Sequence, residues 1–179
     1  MRKWNGIITA AILILFLLHG IMGSFQLMGV GGTALKGIAR LSVALTAVHA
    51  LLSLKLTVDT IRTVKKTGAP YIRRNLLFWA RRVSGFALLV LLVFHMTAFS
   101  KGGSGAYRLK WFNDGKLITQ ILLVCALGIH VGSNLLPSLI TFGIRGQREK
   151  AGRIFFALSV LLLFMAAAFI LYYLRWNRI

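Results

Sequence analysis

Five long apolar stretches dominate this sequence and decide what it can fold into. They run from Trp4 to Met28, from Gly37 to Val58, from Leu76 to Phe99, from Leu117 to Phe142 and from Ile154 to Trp176. A helix needs about 20 apolar residues to cross the ~30 Å hydrocarbon core of a bilayer, and each stretch is that long. Within a bilayer the backbone amides must be satisfied inside the segment, so each stretch is predicted to be a helix. The sequence predicts an all-α membrane protein of five transmembrane helices, in one domain over residues 1–179.

Composition excludes most other classes of protein. Hydrophobic residues make up 58% of the chain and charged residues only 14%, whereas about a quarter of a soluble domain is charged. The net charge of +19 could indicate nucleic-acid binding. In so apolar a chain, however, the basic residues are expected to border the helices and to meet anionic lipid head groups. The single Cys125 excludes a disulfide framework and a thiolate metal site.

The distribution of Lys and Arg predicts the orientation in the membrane. Of the 22 basic residues, 14 fall on the face that the N-terminus shares. The positive-inside rule then places the N-terminus in the cytoplasm and the C-terminus outside, with the protein in the cell inner membrane. Trp4, Trp111 and Trp176 lie near span ends, as interfacial anchors do. The first span is expected to be retained, because it is longer than the apolar core of a signal peptide and contains His19.

The four histidines of the chain carry the functional signal. Each lies inside a different predicted helix: His19, His49, His95 and His130. Ionisable side chains within a membrane are costly and usually functional. At the rise of a helix, His19 and His95 lie about 20–24 Å from the basic residues of the cytoplasmic edge, in the outer half. The other two lie about 20–21 Å from the basic residues of the outer edge, so the four form two pairs at levels about 10 Å or more apart.

Two histidines on facing helices suit the axial positions of a haem iron. Filling both positions leaves no open site for O₂, so such a haem transfers electrons. A zinc site would need its ligands at one depth, and the absence of a C-x-x-C-H motif excludes the usual covalent haem. The pattern predicts two non-covalent b haems, against the alternative of unrelated interhelical hydrogen bonds. Arg81, Arg82 and Lys55 at the inner edge could pair with haem propionates, or could simply be part of the topology signal.

One segment resembles a known family. The residues from Tyr71 to Phe86 (YIRRNLLFWARRVSGF), followed by His95, resemble the di-haem cytochrome b membrane anchor of succinate dehydrogenase and fumarate reductase. In that family an Arg-(Val/Ile)-(Ser/Thr)-Gly element opens the third span, as Arg82 to Gly85 do here, and a His follows near the outer end. The resemblance extends over 48–50 (VHA) and 129–134 (IHVGSN). All five spans and all four ligand positions match.

The resemblance implies cofactors and partners. It implies two haem b groups, the inner one held by His49 and His130 and the outer one by His19 and His95. The cytoplasmic segments 62–75 and 145–153 would seat an iron–sulfur subunit, which in turn carries a flavoprotein subunit where succinate and fumarate interconvert. The chain itself would have no catalytic residue for succinate. It would be the electron-transfer and quinone-reactive subunit of the oxidoreductase complex.

A membrane quinone, commonly menaquinone in this di-haem type, would exchange electrons with the haems. Candidate residues for an outer quinone pocket are Gln26, Arg40 and Asn113, and those for an inner pocket are Arg82 and Ser84. Some family members use membrane Glu residues for proton transfer, but this chain has no acid inside a predicted span. Quinone protons are therefore expected to come from the membrane interface.

Two other functions compete with this interpretation. The first is the cytochrome b anchor of another quinone-linked oxidoreductase, such as a hydrogenase or formate dehydrogenase, whose enzyme partner faces outward. The larger basic surface on the predicted inner face argues against it. The second is a haem-free structural or transport protein, which would lack the Soret absorption band of a haem.

Overall fold

The computed structural model describes residues 2–30, 36–68, 75–101, 107–109 and 112–176. The described chain is helical apart from one short hairpin. The elements are α1 (Arg2–Leu27), α2 (Lys36–Thr67), α3 (Leu76–Ala98), β1 (Phe99–Lys101), β2 (Tyr107–Leu109), α4 (Asp114–Thr141) and α5 (Gln147–Trp176). Asn75 and Asn113 cap α3 and α4, because each side-chain oxygen accepts a hydrogen bond from a backbone N–H of the first turn, that of Phe78 and of Lys116 respectively.

All five helices are long and apolar enough to cross a membrane, as predicted. Their outward surface is apolar: Leu76 is 82% exposed, Phe156 72%, Phe86 71% and Leu51 70%. Water would strongly disfavour so many exposed large hydrophobic side chains, whereas lipid tails solvate them. The chain is therefore described as a multi-pass membrane protein.

Two helices extend beyond the predicted spans. Helix α2 continues to Thr67 instead of ending at Val58, and α5 begins at Gln147 instead of Ile154. Hydropathy marks the apolar slab, but a helix ends only where its backbone is broken. At the end of α2 that break is Gly68, with a φ of +67°, a conformation that favours glycine. The segment predicted as the loop 62–75 is thus helical up to Thr67, and residues 69–74 lie outside the described part of the chain.

A short hairpin and an aromatic cluster lie at the face opposite the N-terminus. Strands β1 and β2 pair antiparallel, with Phe99 opposite Leu109. The rings of Phe112 and Phe169 stack at 6.4 Å with an interplanar angle of 4°, and Tyr172 packs edge-on against Phe112 at 5.2 Å. Phe112 is completely buried. Together with Phe99, these side chains form the outer aromatic cluster.

The helices pack in the order α2, α1, α5, α4, α3. Helix α1 packs closely against α2 and α5, and α4 packs closely against α3 and α5. Within the described residues, α1 does not pack closely against α3, nor α2 against α4. The antiparallel pairs α1–α2 and α3–α4 are therefore joined mainly through α5, and side chains have to bridge the space between them.

Candidate cofactor-binding site

Two pairs of histidine rings bridge this space. The ring centres of His49 on α2 and His130 on α4 are 6.4 Å apart, and those of His19 on α1 and His95 on α3 are 6.0 Å apart. The two rings of each pair are nearly perpendicular, at 85° and 82°. Each pair joins two helices that do not pack closely against each other. We call His49 and His130 the inner pair, because they lie nearer the face where α1 begins, and His19 and His95 the outer pair.

Three helices give nearly the same separation between the two levels. On α1, Thr9 contacts the inner pair and His19 belongs to the outer pair, ten residues along. On α3 the corresponding residues are Ser84 and His95, eleven apart, and on α4 they are His130 and Gln120, ten apart. At 1.5 Å per residue these intervals correspond to about 15–17 Å. The pairs are well-separated sites within one bundle.

Ser84 and Gly85 both lie beside the His130 ring. The Ser84 hydroxyl donates to the carbonyl of Ala80, so its oxygen accepts from His130 Nδ1 at 3.2 Å. A Cβ added at Gly85 would lie 3.2 Å from His130 Cε1 and 3.4 Å from Nδ1. The Arg-Val-Ser-Gly element of α3 therefore supplies both a hydrogen-bond acceptor for this ring and the room that the ring needs.

His49 has its acceptors on α1. Its Nδ1 lies 3.0 Å from Asn5 Oδ1 and 3.2 Å from Thr9 Oγ1. The Thr9 hydroxyl donates to the Asn5 carbonyl, which leaves its oxygen to accept from the ring. Ser53 Oγ is 3.5 Å from the other ring nitrogen, Nε2, at the limit of a hydrogen bond.

The two histidines of the outer pair have different surroundings. His95 Nδ1 donates to Gln120 Oε1 at 2.7 Å, and Gln120 is completely buried. The ring of His95 also packs against Phe99 of the outer aromatic cluster, at 5.2 Å between centres. By contrast, His19 Nδ1 is buried and has no hydrogen-bond partner among the described residues.

These contacts favour one tautomer in three of the four rings. A ring that donates through Nδ1 carries its proton there and keeps the lone pair of Nε2 for a metal. A metal–imidazole bond is about 2 Å long and the ring centre lies about 1 Å beyond the nitrogen, so two axial rings on one metal have centres about 6 Å apart. The observed 6.0 and 6.4 Å match that spacing. By this distance, each pair could supply two ligands to one metal ion.

A metal ion held by protein ligands alone would need a different cluster. Structural zinc sites use four ligands, and catalytic sites use three and an open position. Nowhere in the described parts of the chain do three or more His, Cys, Asp or Glu side chains come together. A haem would need only two protein ligands, so each His pair could hold one.

The basic residues predicted at the inner edge have different environments. Arg81 Nε donates to the carbonyl of Ser133 at 2.9 Å and so ties α3 to α4. The guanidinium of Arg82 lies 4.9 Å from the centre of the Phe78 ring. Lys55 is exposed on α2. Arg81 and Arg82 therefore lie two or three residues from Ser84, close to the level of the inner pair.

The three candidates for an outer quinone pocket lie on separate elements of the opposite face. Gln26 is half-buried near the end of α1, and Arg40 is exposed near the start of α2. Asn113 caps α4 and lines an open groove between α3 and α4, together with Thr97 and Lys116.

Sequence reasoning missed Asn5, Thr9 and Gln120. Each is a polar residue within or at the edge of a predicted apolar helix, and this polarity could have identified it as a hydrogen-bond partner of a histidine. Their contacts with His49 and His95 depend on how the helices rotate against each other, and the sequence does not state that rotation.

Comparison with known proteins finds no matching protein-family model, no matching curated protein and no matching solved structure.

Proposed function

We propose that the chain is the di-haem cytochrome b anchor subunit of a succinate dehydrogenase or fumarate reductase complex. The observation that carries the haem part of this proposal is the spacing of the two His pairs, 6.0 and 6.4 Å between ring centres. Two pairs at two levels suit a chain that moves electrons across a membrane, because each level would hold one carrier.

The residues of each pair have distinct roles in this proposal. His49 and His130 would hold the inner haem through Nε2, and His19 and His95 would hold the outer haem in the same way. When bound, a haem with two axial histidines takes up and releases single electrons and has no open position for substrate. Asn5, Ser84 and Gln120 orient three of the rings by accepting their Nδ1 protons, as partners of metal-bound histidines commonly do.

The identity of the partner enzyme rests on the sequence resemblance and on charge. The resemblance is concentrated in the Arg-Val-Ser-Gly element, whose Ser84 and Gly85 lie beside His130, the proposed inner ligand. On the face where α1 begins, exposed basic residues include Lys65, Lys66 and Arg148. Such a surface favours docking of an acidic protein. We propose that this face is cytoplasmic and receives the iron–sulfur subunit, which carries the flavoprotein.

The quinone, menaquinone in this proposal, would react near the interface. Within the described helices the acidic side chains lie toward the ends, with Asp59 on α2, Asp114 starting α4 and Glu149 starting α5. Protons would therefore reach quinone from the aqueous edge. On the outer side, the groove lined by Asn113, Thr97 and Lys116 is the better supported location.

A measurement of haem content tests the interpretation of the two His pairs as haem ligands. The full chain, expressed in membranes with haem supply and purified in detergent, should give two haems per polypeptide by the pyridine haemochrome method. A variant with all four His replaced by Ala is the matched control and should give none. A value of one or zero for the unaltered chain would reject the di-haem proposal.

The partner is tested separately. A tagged chain should retain an iron–sulfur protein and a flavoprotein on purification from its native membrane, with succinate-reducible haem. If the chain instead retained a hydrogenase or formate dehydrogenase, the haem proposal would stand and the partner would be the alternative one.

A further inference from the structure

We propose that Gln120 is a positioning residue that sets the affinity and the redox potential of the outer site by holding His95. This inference rests on the proposed function, because it supposes that His95 is a metal ligand. It adds a role for a residue that lies outside the sequence motif and one helix away from the ligand that it holds.

Gln120 is unusual for its burial. It is completely buried, and among the described residues it is the most deeply buried polar side chain. Burying an amide costs free energy unless its groups are hydrogen-bonded. Its Oε1 lies 2.7 Å from His95 Nδ1, which is a short contact for a nitrogen donor. The Gln120 amide is therefore positioned to hold the His95 ring by a hydrogen bond.

A second contact favours the same orientation of the Gln120 amide. The Thr119 hydroxyl donates to the carbonyl of Lys116, so its oxygen is left to accept from Gln120 Nε2, 3.4 Å away. With Nε2 on that side, Oε1 faces His95. The ring must then donate through Nδ1, which keeps Nε2 for the metal. The chain Lys116–Thr119–Gln120 thus selects the tautomer of a ligand on the neighbouring helix.

The inner ligands are held differently. His49 has two acceptors, Asn5 and Thr9, and His130 has a hydroxyl oxygen at 3.2 Å. Only one hydrogen-bond acceptor contacts the Nδ1 of His95 within the described residues, and it belongs to the completely buried side chain of Gln120. We therefore expect that no other acceptor replaces Gln120 at His95 when Gln120 is lost. By contrast, His49 keeps Thr9 as an acceptor when Asn5 is lost.

The physical effect follows from the basicity of the ligand. An acceptor on the far ring nitrogen makes the imidazole a stronger electron donor and stabilises the oxidised metal. Removal of a residue with this role costs about 10–100-fold in affinity. We expect Gln120→Leu, which keeps the bulk and removes the acceptor, to weaken outer haem binding by about that factor and to raise its midpoint potential. Gln120→Glu keeps an acceptor and should retain the haem with a potential at or below that of the unaltered chain.

The test is a redox titration of both haems in purified full-length protein, with haem content measured in parallel. The inner haem serves as the internal control, and Ser159→Ala on α5 controls for handling. The expected result is a change confined to the outer component, upward in Gln120→Leu and absent or downward in Gln120→Glu.

Each result decides the question. An outer potential and haem content that are unchanged in Gln120→Leu would overturn the role of Gln120. If that variant fails to fold and loses both haems, Gln120→Glu decides: a raised outer potential or a lost outer haem there would overturn the inference. If the unaltered chain binds no haem, it is the proposed function that fails.

Discussion

The close approach of Gly85 to His130 offers a way to weaken the proposed inner haem site without damaging the helix. The perturbation is Gly85→Ala on α3. The new Cβ would lie 3.2 Å from His130 Cε1, closer than ordinary van der Waals contact, so the ring would have to move by a few tenths of an ångström. The substitution also stabilises the helix itself, because alanine is about 0.5–1 kcal/mol more favourable than glycine in a helix interior.

The close contact with His130 lowers the affinity for haem, whereas the higher helix propensity of alanine raises the stability of the chain. The two effects also differ in size. Misplacing a metal-bound histidine by disturbing its surroundings costs about 10–100-fold in affinity. This corresponds to about 1.4–2.8 kcal/mol, more than the helix gains. We therefore expect the haem-free chain to be as stable as before or slightly more stable, and the inner haem to bind about tenfold or more weakly. The outer haem should be unaffected, since it lies about 15–17 Å away along the helix.

The assay is haem titration of the haem-free protein in detergent, followed by low-temperature difference spectra, with thermal unfolding measured on the same samples. Gly23→Ala on α1 is the matched control, because a Cβ there would meet nothing within 4 Å. That variant should keep both haems. If Gly85→Ala left the inner haem at full affinity, or weakened the outer haem equally, the assignment of His130 to a separate inner site would be wrong.

Three further predictions follow from the same geometry. His19→Ala should remove the outer haem and spare the inner one, and His49→Ala the reverse; a shared spectral loss in optical difference spectra would contradict the pairing. Charge reversal of Lys65, Lys66 and Arg148 together should release most of the iron–sulfur subunit into the soluble fraction, as seen by immunoblot, whereas unchanged membrane-bound succinate or fumarate activity would speak against docking on this face. Finally, rings at 82° and 85° act on different iron d orbitals, so both ferric haems should give strongly anisotropic low-spin electron paramagnetic resonance signals. Signals typical of parallel rings would show that the rings rotate when haem binds.

The levels of the histidines could be predicted from the sequence because helix rise is nearly constant. Counting residues from basic span edges assigned His19 and His95 to one half of the bundle, and His49 and His130 to the other. The structure brings together the same two pairs of rings. Whether they bind haem remains a prediction, since ligation depends on a group that the sequence does not encode.

Other features could not be predicted, for identifiable physical reasons. Hydropathy placed the end of α2 at Val58, although the backbone stays helical to Thr67 and turns only at Gly68. The contact of Gln120 with His95 depends on the relative rotation of α3 and α4, which side-chain packing decides. The sequence shows no alternation of apolar and polar residues that would predict the β1–β2 hairpin, because each strand has only three residues.

The intervals of ten or eleven residues on three helices also constrain how this sequence can change in length. A single inserted residue between Thr9 and His19 would advance the second half of α1 by about 1.5 Å and turn it by about 100°. Either Thr9 or His19 would then face away from the interior of the bundle. An insertion within the segments 84–95 or 120–130 would have the same effect on α3 or α4. Helix α5 carries none of these contacts, so there the cost of a length change is limited to repacking. Among homologues, gaps should therefore be absent from the three intervals and permitted in α5 and in the connections between helices.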